Sequence, residues 1–475
     1  MSAFWKFTER ILAQLISFIV SIILARVLSP EDYSLVGIVL IFFSFANILI
    51  SGGLNTALIQ KKNADAVDYF SVLVTSIVAS VGMYVVLWFL SPVISQLYNK
   101  DELTLMLRVM GIVLPINAVK SVWCAHISSN LMFKKFFLST IGGTILSALV
   151  GIWMAVCGFG AWALITQQIA NILIGTIIII ITTKINLICK FSIVKLKRLF
   201  SYGWKVLVSS IIGSIYSEIT PLIIGVKFTA TDLSFYTKGK TFPGLISSTS
   251  INTLSAVLFP VLSNFQDDKN RLLSCTRRFI SVSSYLAFPL MLGLYVVSEN
   301  FVSVLLTEKW LPAVPYLKIF CVSAMFDVIH TGNCETIKAM GKSGVFLVME
   351  IIKKTSYFII IMTFVFWGKT PIQLAISSIV CALIATIVNS IPNKILIGYK
   401  YRNQICDLFP NLIIAILMTI GVNLAGKLIS TKVLSLLIQI LVGIILYIVL
   451  SVVTHNKNLC YILGVLKNYK KRNKE

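Results

Sequence analysis

Apolar runs of membrane-crossing length follow one another along this chain, with only short polar breaks between them. A helix needs about 20 apolar residues to cross the hydrocarbon of a bilayer. Runs near that length fall at 10–28, 34–54, 70–90, 103–125, 138–157 and 161–182. The second half repeats the pattern at 205–225, 241–262, 279–298, 316–338, 344–366 and 371–391. Two more, at 408–425 and 433–453, close the chain. This pattern predicts an all-α polytopic membrane protein of about 14 transmembrane helices, joined by the short links of a helical bundle. No stretch reads as a soluble domain.

The polar breaks differ in charge. The stretch from Lys184 to Lys205 carries Lys184, Lys190, Lys195, Lys197, Arg198 and Lys205 and no acid. Positive charge resists translocation, so such a segment stays on the cytoplasmic side. With the N-terminus inside, the inner breaks hold Lys61, Lys62, Lys134, Lys135, Lys269, Arg271, Arg277 and Arg278 besides the connector. Lys338, Lys342, Lys394, Lys400, Arg402 and a tail with Lys457, Lys467, Lys470, Lys471, Arg472 and Lys474 join them. The outer breaks hold only Lys100, Lys227, Lys238, Lys240, Lys309, Lys369, Lys427 and Lys432. The excess is roughly threefold on the inner side, which predicts that both termini are cytoplasmic. Overall, 41 Lys and Arg stand against 18 Asp and Glu, a net charge of +23. In a soluble chain that surplus would suggest nucleic acid. Here 57% of residues are hydrophobic and 12% charged, so the surplus is the positive-inside pattern and no nucleic-acid partner is expected.

Two stretches echo each other. Ala25-Arg26-Val27-Leu28-Ser29-Pro30-Glu31-Asp32-Tyr33-Ser34 follows the first span, and Gly225-Val226-Lys227-Phe228-Thr229-Ala230-Thr231-Asp232-Leu233-Ser234 follows the seventh. Asn55-Thr56 is echoed by Asn252-Thr253. Six spans separate the copies, an even number, so both run in one direction, as in parallel repeats about a pseudo-two-fold along the membrane normal. The chain divides accordingly into a six-helix lobe at 1–183, a basic connector with the start of helix seven at 184–205, a second six-helix lobe at 206–400, and two extra helices with a basic tail at 401–475.

Catalytic signatures are missing. The nine cysteines include no C-x-x-C and their number is odd, against a disulfide framework. His126, His330 and His455 have no Cys or carboxylate at metal-ligand spacing, so no metal site is expected. Gly341-Lys342-Ser343 ends like a P-loop, but Thr336 replaces the leading Gly and no strand precedes it.

Ionisable groups within spans are costly and usually face protein or water. Glu218 lies past the middle of span seven with no cation within a helical turn. Asp327 is near the centre of span ten, with His330 one turn on along the same face. Glu350, Lys353 and Lys354 share the first half of span eleven, where Glu350 and Lys354 have the favourable i, i+4 order. Arg26 is near the end of span one and Arg108 early in span four, with Lys120 and Glu335 towards the other ends of their spans. The bland readings are snorkelling for Arg26, Lys120 and Glu335, a neutralised structural patch for the span-eleven cluster, and a buried hydrogen-bonded pair for Asp327 and His330.

The chain resembles the Wzx-type polysaccharide and O-antigen flippases of the multidrug/oligosaccharidyl-lipid/polysaccharide exporter superfamily. The stretches that carry the resemblance are Leu24 to Tyr33, Ala57-Leu58-Ile59-Gln60, Gly158-Phe159-Gly160-Ala161-Trp162-Ala163-Leu164, Leu258-Phe259-Pro260-Val261-Leu262 with Gln266-Asp267-Asp268, and Glu308-Lys309-Trp310-Leu311-Pro312-Ala313. It implies two six-helix lobes about a central cationic cavity, with two C-terminal helices beyond them. It also implies a non-enzyme of the bacterial inner membrane that moves undecaprenyl-pyrophosphate-linked oligosaccharide between leaflets by alternating access. Partners would be that cargo, membrane lipids, and a polysaccharide polymerase and chain-length regulator. Arg26 stands in the family's span-one motif and is the cavity cation that carries over; Arg108, Lys353 and Lys354 are further candidates, the two lysines from their depth in span eleven and not from a motif. No cofactor is implied; coupling to a proton or sodium gradient would fall to Glu218, Asp327, His330 or Glu350. The alternatives are a drug or small-solute antiporter of the same superfamily, which favours an acidic, aromatic cavity, and a polymerase or ligase, which favours a large periplasmic loop.

Overall fold

The computed structural model describes residues 2–51, 53–61, 64–183, 185, 188–265, 268–461 and 464. Lys62, Lys184, Gln266, Asp267 and the tail cations from Lys467 onward lie outside them. The described chain is helical throughout, with no strand among the described residues. It forms two compact units, residues 1–234 and 235–475.

The first unit holds α1 (Ser2–Val27), α2 (Pro30–Ser51), α3 (Leu54–Gln60), α4 (Ala66–Tyr98), α5 (Glu102–Gly111), α6 (Val113–Ser129), α7 (Phe133–Val156), α8 (Ala161–Thr182) and α9 (Ile193–Lys227). α7 packs on α8 and α1, while α9 packs on α2, α3 and α4. The connector is therefore helical from Ile193 and docked. Ser192 donates its N–H to Ser71 Oγ on α4 at 3.0 Å, and Leu199 joins Tyr69, Val72 and Val122 in a buried apolar cluster.

α10 (Ala230–Asn264) begins at the boundary and runs into the second unit. There follow α11 (Lys269–Leu305), a 3-10 turn (Glu308–Ala313), α12 (Val314–Met325), α13 (Asp327–Ala339), α14 (Ser343–Trp367), α15 (Pro371–Leu396), α16 (Tyr401–Lys427) and α17 (Lys432–Val453). α11 carries α12, α16 and α17, and α15 packs on α12, α13 and α14.

Among the described residues, twelve segments are long and apolar enough to cross a membrane, with α5–α6 and the turn plus α12–α13 each counting as one interrupted span. α10 and α14 match the apolar runs at 241–262 and 344–366, and α14 carries Glu350, Lys353 and Lys354 within its length. Adding them gives the fourteen spans expected from hydropathy.

The same local devices recur along the chain. Ser29 and Asp32 form a reciprocal cap at the start of α2: Ser29 N–H donates to Asp32 Oδ2 at 2.8 Å, and Asp32 N–H donates to Ser29 Oγ at 3.1 Å. Thr229 and Asp232 do the same before α10, at 3.2 and 3.0 Å. Two orphan donors are satisfied each time, which is what a capping box supplies. Ser34 and Ser234 then bond back to the carbonyls three residues earlier, at 2.6 and 2.7 Å. Asp65 caps α4 and Asp268 caps α11. Leu131 and Gly341 adopt positive φ of 54° and 68°. The next N–H, of Met132 or Lys342, reaches back to Ile127 or Ile337 at 3.0 or 3.3 Å, closing both helices as a Schellman motif does.

The charge pattern needs one correction. Lys238 and Lys240, taken as outer-loop cations, are helical residues of α10, and Lys238 is buried with its ammonium 5.5 Å from the centre of the Trp310 ring. Asp232, Lys238 and Lys240 lower the local hydropathy, so the apolar run starts a dozen residues after the helix does.

Candidate functional site

Three of the stretches that carried the family resemblance, those around Asp32, Gly160 and Trp310, hold the fold. Gly160 takes φ 54° at the turn into α8, and a Cβ there would stand 2.8 Å from Asp32 Oδ1. The Gly-Phe-Gly turn thus sits on the α2 cap. In the second unit Trp310 is fully buried, and its 3-10 turn lies against Lys238 and Gly239 of α10.

The charged residues separate from these motifs. Arg26 occupies the last turn of α1 with its side chain exposed, where a cation is favoured by the helix dipole. Arg108 is half-buried near the end of α5; its Nε donates to Ser91 Oγ at 3.1 Å and its guanidinium sits 4.3 Å from the Trp88 ring centre. Both contacts are on α4, so Arg108 is bound to its neighbouring helix. Glu218 is half-buried in α9, and among the described residues no hydrogen bond or ion pair reaches it. Lys120 of α6 places its ammonium against Gly175 of α8. Glu335 bonds Lys338 at 3.0 Å within α13.

The second unit gathers more of the candidates. Span ten breaks at Phe326, and Asp327 starts α13, where a carboxylate meets the positive end of the helix. Asp327 and His330 do not form the buried hydrogen-bonded pair that is the bland reading of their spacing. Asp327 Oδ2 accepts from Ser247 Oγ of α10 at 2.7 Å, whereas His330 Nδ1 pairs with Asn389 Nδ2 of α15. One helical turn aligns two side chains, but each found a nearer group on another helix. Likewise Glu350 pairs with Lys353, three residues on, rather than with Lys354. The Lys353 side chain is only 9% exposed, so its charge is largely committed to Glu350. That pair lies within electrostatic reach of His330 and Cys334 on α13.

A cavity of about 520 Å³ opens between α10, α12–α13, α14 and α15. Asp327, Ser247, Lys240, Tyr236, Phe320 and Tyr357 all contribute to its wall. A second, almost wholly apolar cavity of about 410 Å³ lies among α11, α12–α13, α15 and α16. No group of three or more His, Cys, Asp or Glu that could hold a metal occurs among the described residues.

Sequence reading missed a further polar assembly. Arg277 forks onto Asp407 with bonds of 2.8 and 2.7 Å, and Tyr399 donates to the same carboxylate at 2.8 Å. Asn333, Ser390, Asn393 and Gln404 form a buried network beside it. Arg277 and Asp407 are 130 residues apart, so no local signal joins them.

Residues 23–315 match the family model described as polysaccharide biosynthesis protein. The succinoglycan biosynthesis transport protein ExoT of Rhizobium meliloti (strain 1021) is 22% identical, covering 96% of this chain and 93% of its own. The lipopolysaccharide biosynthesis protein WzxC of Escherichia coli (strain K12) is also 22% identical, over 86% of this chain and 84% of that one. Among solved structures, the lipid II flippase MurJ in an inward closed conformation superposes with a TM-score of 0.77 at 15% identity, covering 96% of this chain and 99% of that one.

Proposed function

The chain belongs to the polysaccharide biosynthesis protein family, and on that premise we propose that it flips a lipid-linked oligosaccharide across the bacterial inner membrane. The observation that carries the reading is near full-length similarity to a protein named for transport in succinoglycan biosynthesis. The cargo is an undecaprenyl-pyrophosphate-linked repeat unit, delivered from the cytoplasmic to the periplasmic leaflet, where a polymerase extends it.

The physical problem is the head group. Charged phosphate and a sugar rich in hydroxyls cannot enter hydrocarbon unpaired, because each lost hydrogen bond costs several kcal/mol or so. A cationic, water-lined path replaces hydration with charge-assisted hydrogen bonds. Arg26, exposed at the end of α1, is the cation best disposed to meet pyrophosphate. Arg108 in the first unit and Lys353 and Lys354 in the second are further candidate cations, with Lys353 offset by Glu350. Alternating access then exposes the path to each leaflet in turn. Glu218, half-buried without a partner among the described residues, is the group we assign to ion coupling.

Deletion of the gene tests this reading. The lipid-linked repeat unit should accumulate on the cytoplasmic leaflet and surface polymer should disappear. Repeat units displayed singly at the periplasmic face would instead mean a lost polymerase and would overturn the proposal.

A further inference from the structure

We propose that the cavity between α10, α12–α13, α14 and α15 is a sugar subsite that takes a neutral, hydroxyl-rich pyranose unit of the cargo head group. The inference rests on the transport reading above and adds where the sugar is held.

Four features converge. The cavity holds about 520 Å³, within the range of roughly 300–1,000 Å³ typical of small-molecule sites. Its wall carries aromatic rings: Tyr236 and Phe320, both buried, brace each other edge-to-face at 5.1 Å, and the half-buried Tyr357 of α14 is the ring with a face to offer. Aromatic faces are electron-rich, and the axial C–H face of a pyranose stacks on them. The third feature is Asp327. A carboxylate only accepts, with about four lone-pair positions. Ser247 is the one donor that reaches it among the described residues, and no Lys or Arg pairs with it. Oδ1 is thus available to adjacent sugar hydroxyls. Fourth, the wall's charges are one Asp327 and one Lys240, which sum to zero. An isolated acid among aromatics would favour an organic cation, and several cations would favour phosphate. A balanced wall with serine hydroxyls matches a neutral polyol better than either.

The full chain in lipid nanodiscs, free of glycoside detergents, can be probed by saturation-transfer NMR with the methyl glycosides of glucose, galactose, mannose and N-acetylglucosamine. Tetraphenylphosphonium and inorganic pyrophosphate serve as the contrasting probes. At least one glycoside should bind, and Asp327→Ala should weaken it by more than about tenfold, the scale of a hydrogen bond to a charged group. Asp327→Asn should fall between, since the amide keeps one acceptor. Tyr357→Ala should weaken the same glycoside while leaving the melting temperature near wild type, so the test survives if Asp327→Ala fails to fold. Absence of glycoside binding, binding indifferent to both positions, or tetraphenylphosphonium binding that depends on Asp327 would each overturn the subsite. Gene deletion separates this from the broader reading. Accumulated lipid-linked unit with no glycoside binding refutes the subsite alone, and glycoside binding without accumulation refutes the transport reading.

Discussion

A Cβ on Gly203 would stand 2.9 Å from the carbonyl oxygen of Gly53, and a Cβ on Gly53 would overlap the Gly203 carbonyl in turn. Backbone meets backbone there, so neither side can yield by turning a rotamer. Gly203→Ala should therefore lower stability by about 1–3 kcal/mol, the usual cost of overpacking, seen as a lower melting temperature in nanodiscs. An unchanged melting temperature would mean that α9 does not dock on the α2–α3 junction. Asp65 makes a second case. Lys195 on α9 donates to its carboxylate, and with the Asp68 N–H holds it down to about 2 from an ordinary 3.8. A depressed carboxyl stabilises the fold fully above its unfolded value, so this contribution is present above about pH 4 and fades as pH falls towards 2. The pair is solvent-exposed, so the ionic part is worth less than about 1 kcal/mol. Asp65→Asn, which still caps α4, should cost less than Asp65→Ala by about 1 kcal/mol. Equal losses would assign the whole effect to the ion pair. Residue positions were legible in the sequence, but partners were not: Ser247 and Asp327 are 80 residues apart, and His330 and Asn389 are 59.

Between elements, a bidentate polar tie joins α11 to α16. Arg277 meets Asp407 bidentately, Tyr399 adds a third bond, and Asn411 donates to Ser281 O and Ser284 Oγ at 2.9 and 2.8 Å a turn further on. Arg277 is 43% exposed, so loss of its partner is partly relieved by water. Asp407→Ala should destabilise by about 1.5–3 kcal/mol, the range for hydrogen bonds to charged groups. Arg277→Lys should recover little, because an ammonium cannot make the fork. Full stability of Arg277→Lys in a thermal melt would refute the bidentate assignment. Hydropathy found the spans themselves because burial length is a local property. It missed the interruptions at Ile112 and Phe326, where apolar sequence continues through a break in the helix. It also cut α4, α9 and α11 short, α4 mainly at its end, α9 at its start and α11 at both ends, since these helices extend beyond the apolar run to 33, 35 and 37 residues. The caps at Ser29–Asp32 and Thr229–Asp232 were visible as an echo, because a capping box is written in four consecutive residues.

For the whole molecule, the account requires a cytoplasmic connector and cytoplasmic termini. Two native cysteines report on it: Cys157 at the end of α7 and Cys189 in the connector are both exposed. In single-cysteine chains in intact spheroplasts, an impermeant thiol reagent should label Cys157 and spare Cys189; the opposite pattern would invert the topology. The central claim is transport of a lipid-linked sugar, and reconstitution tests it most directly. Purified chain in proteoliposomes would be given the undecaprenyl-linked oligosaccharide recovered from the deletion strain, with a membrane-impermeant glycosidase outside. The account predicts that cargo placed in the inner leaflet becomes digestible only when the chain is present, and more slowly with Arg26→Ala. Cargo that stays protected with wild-type chain, across imposed proton and sodium gradients of either sign, would contradict it.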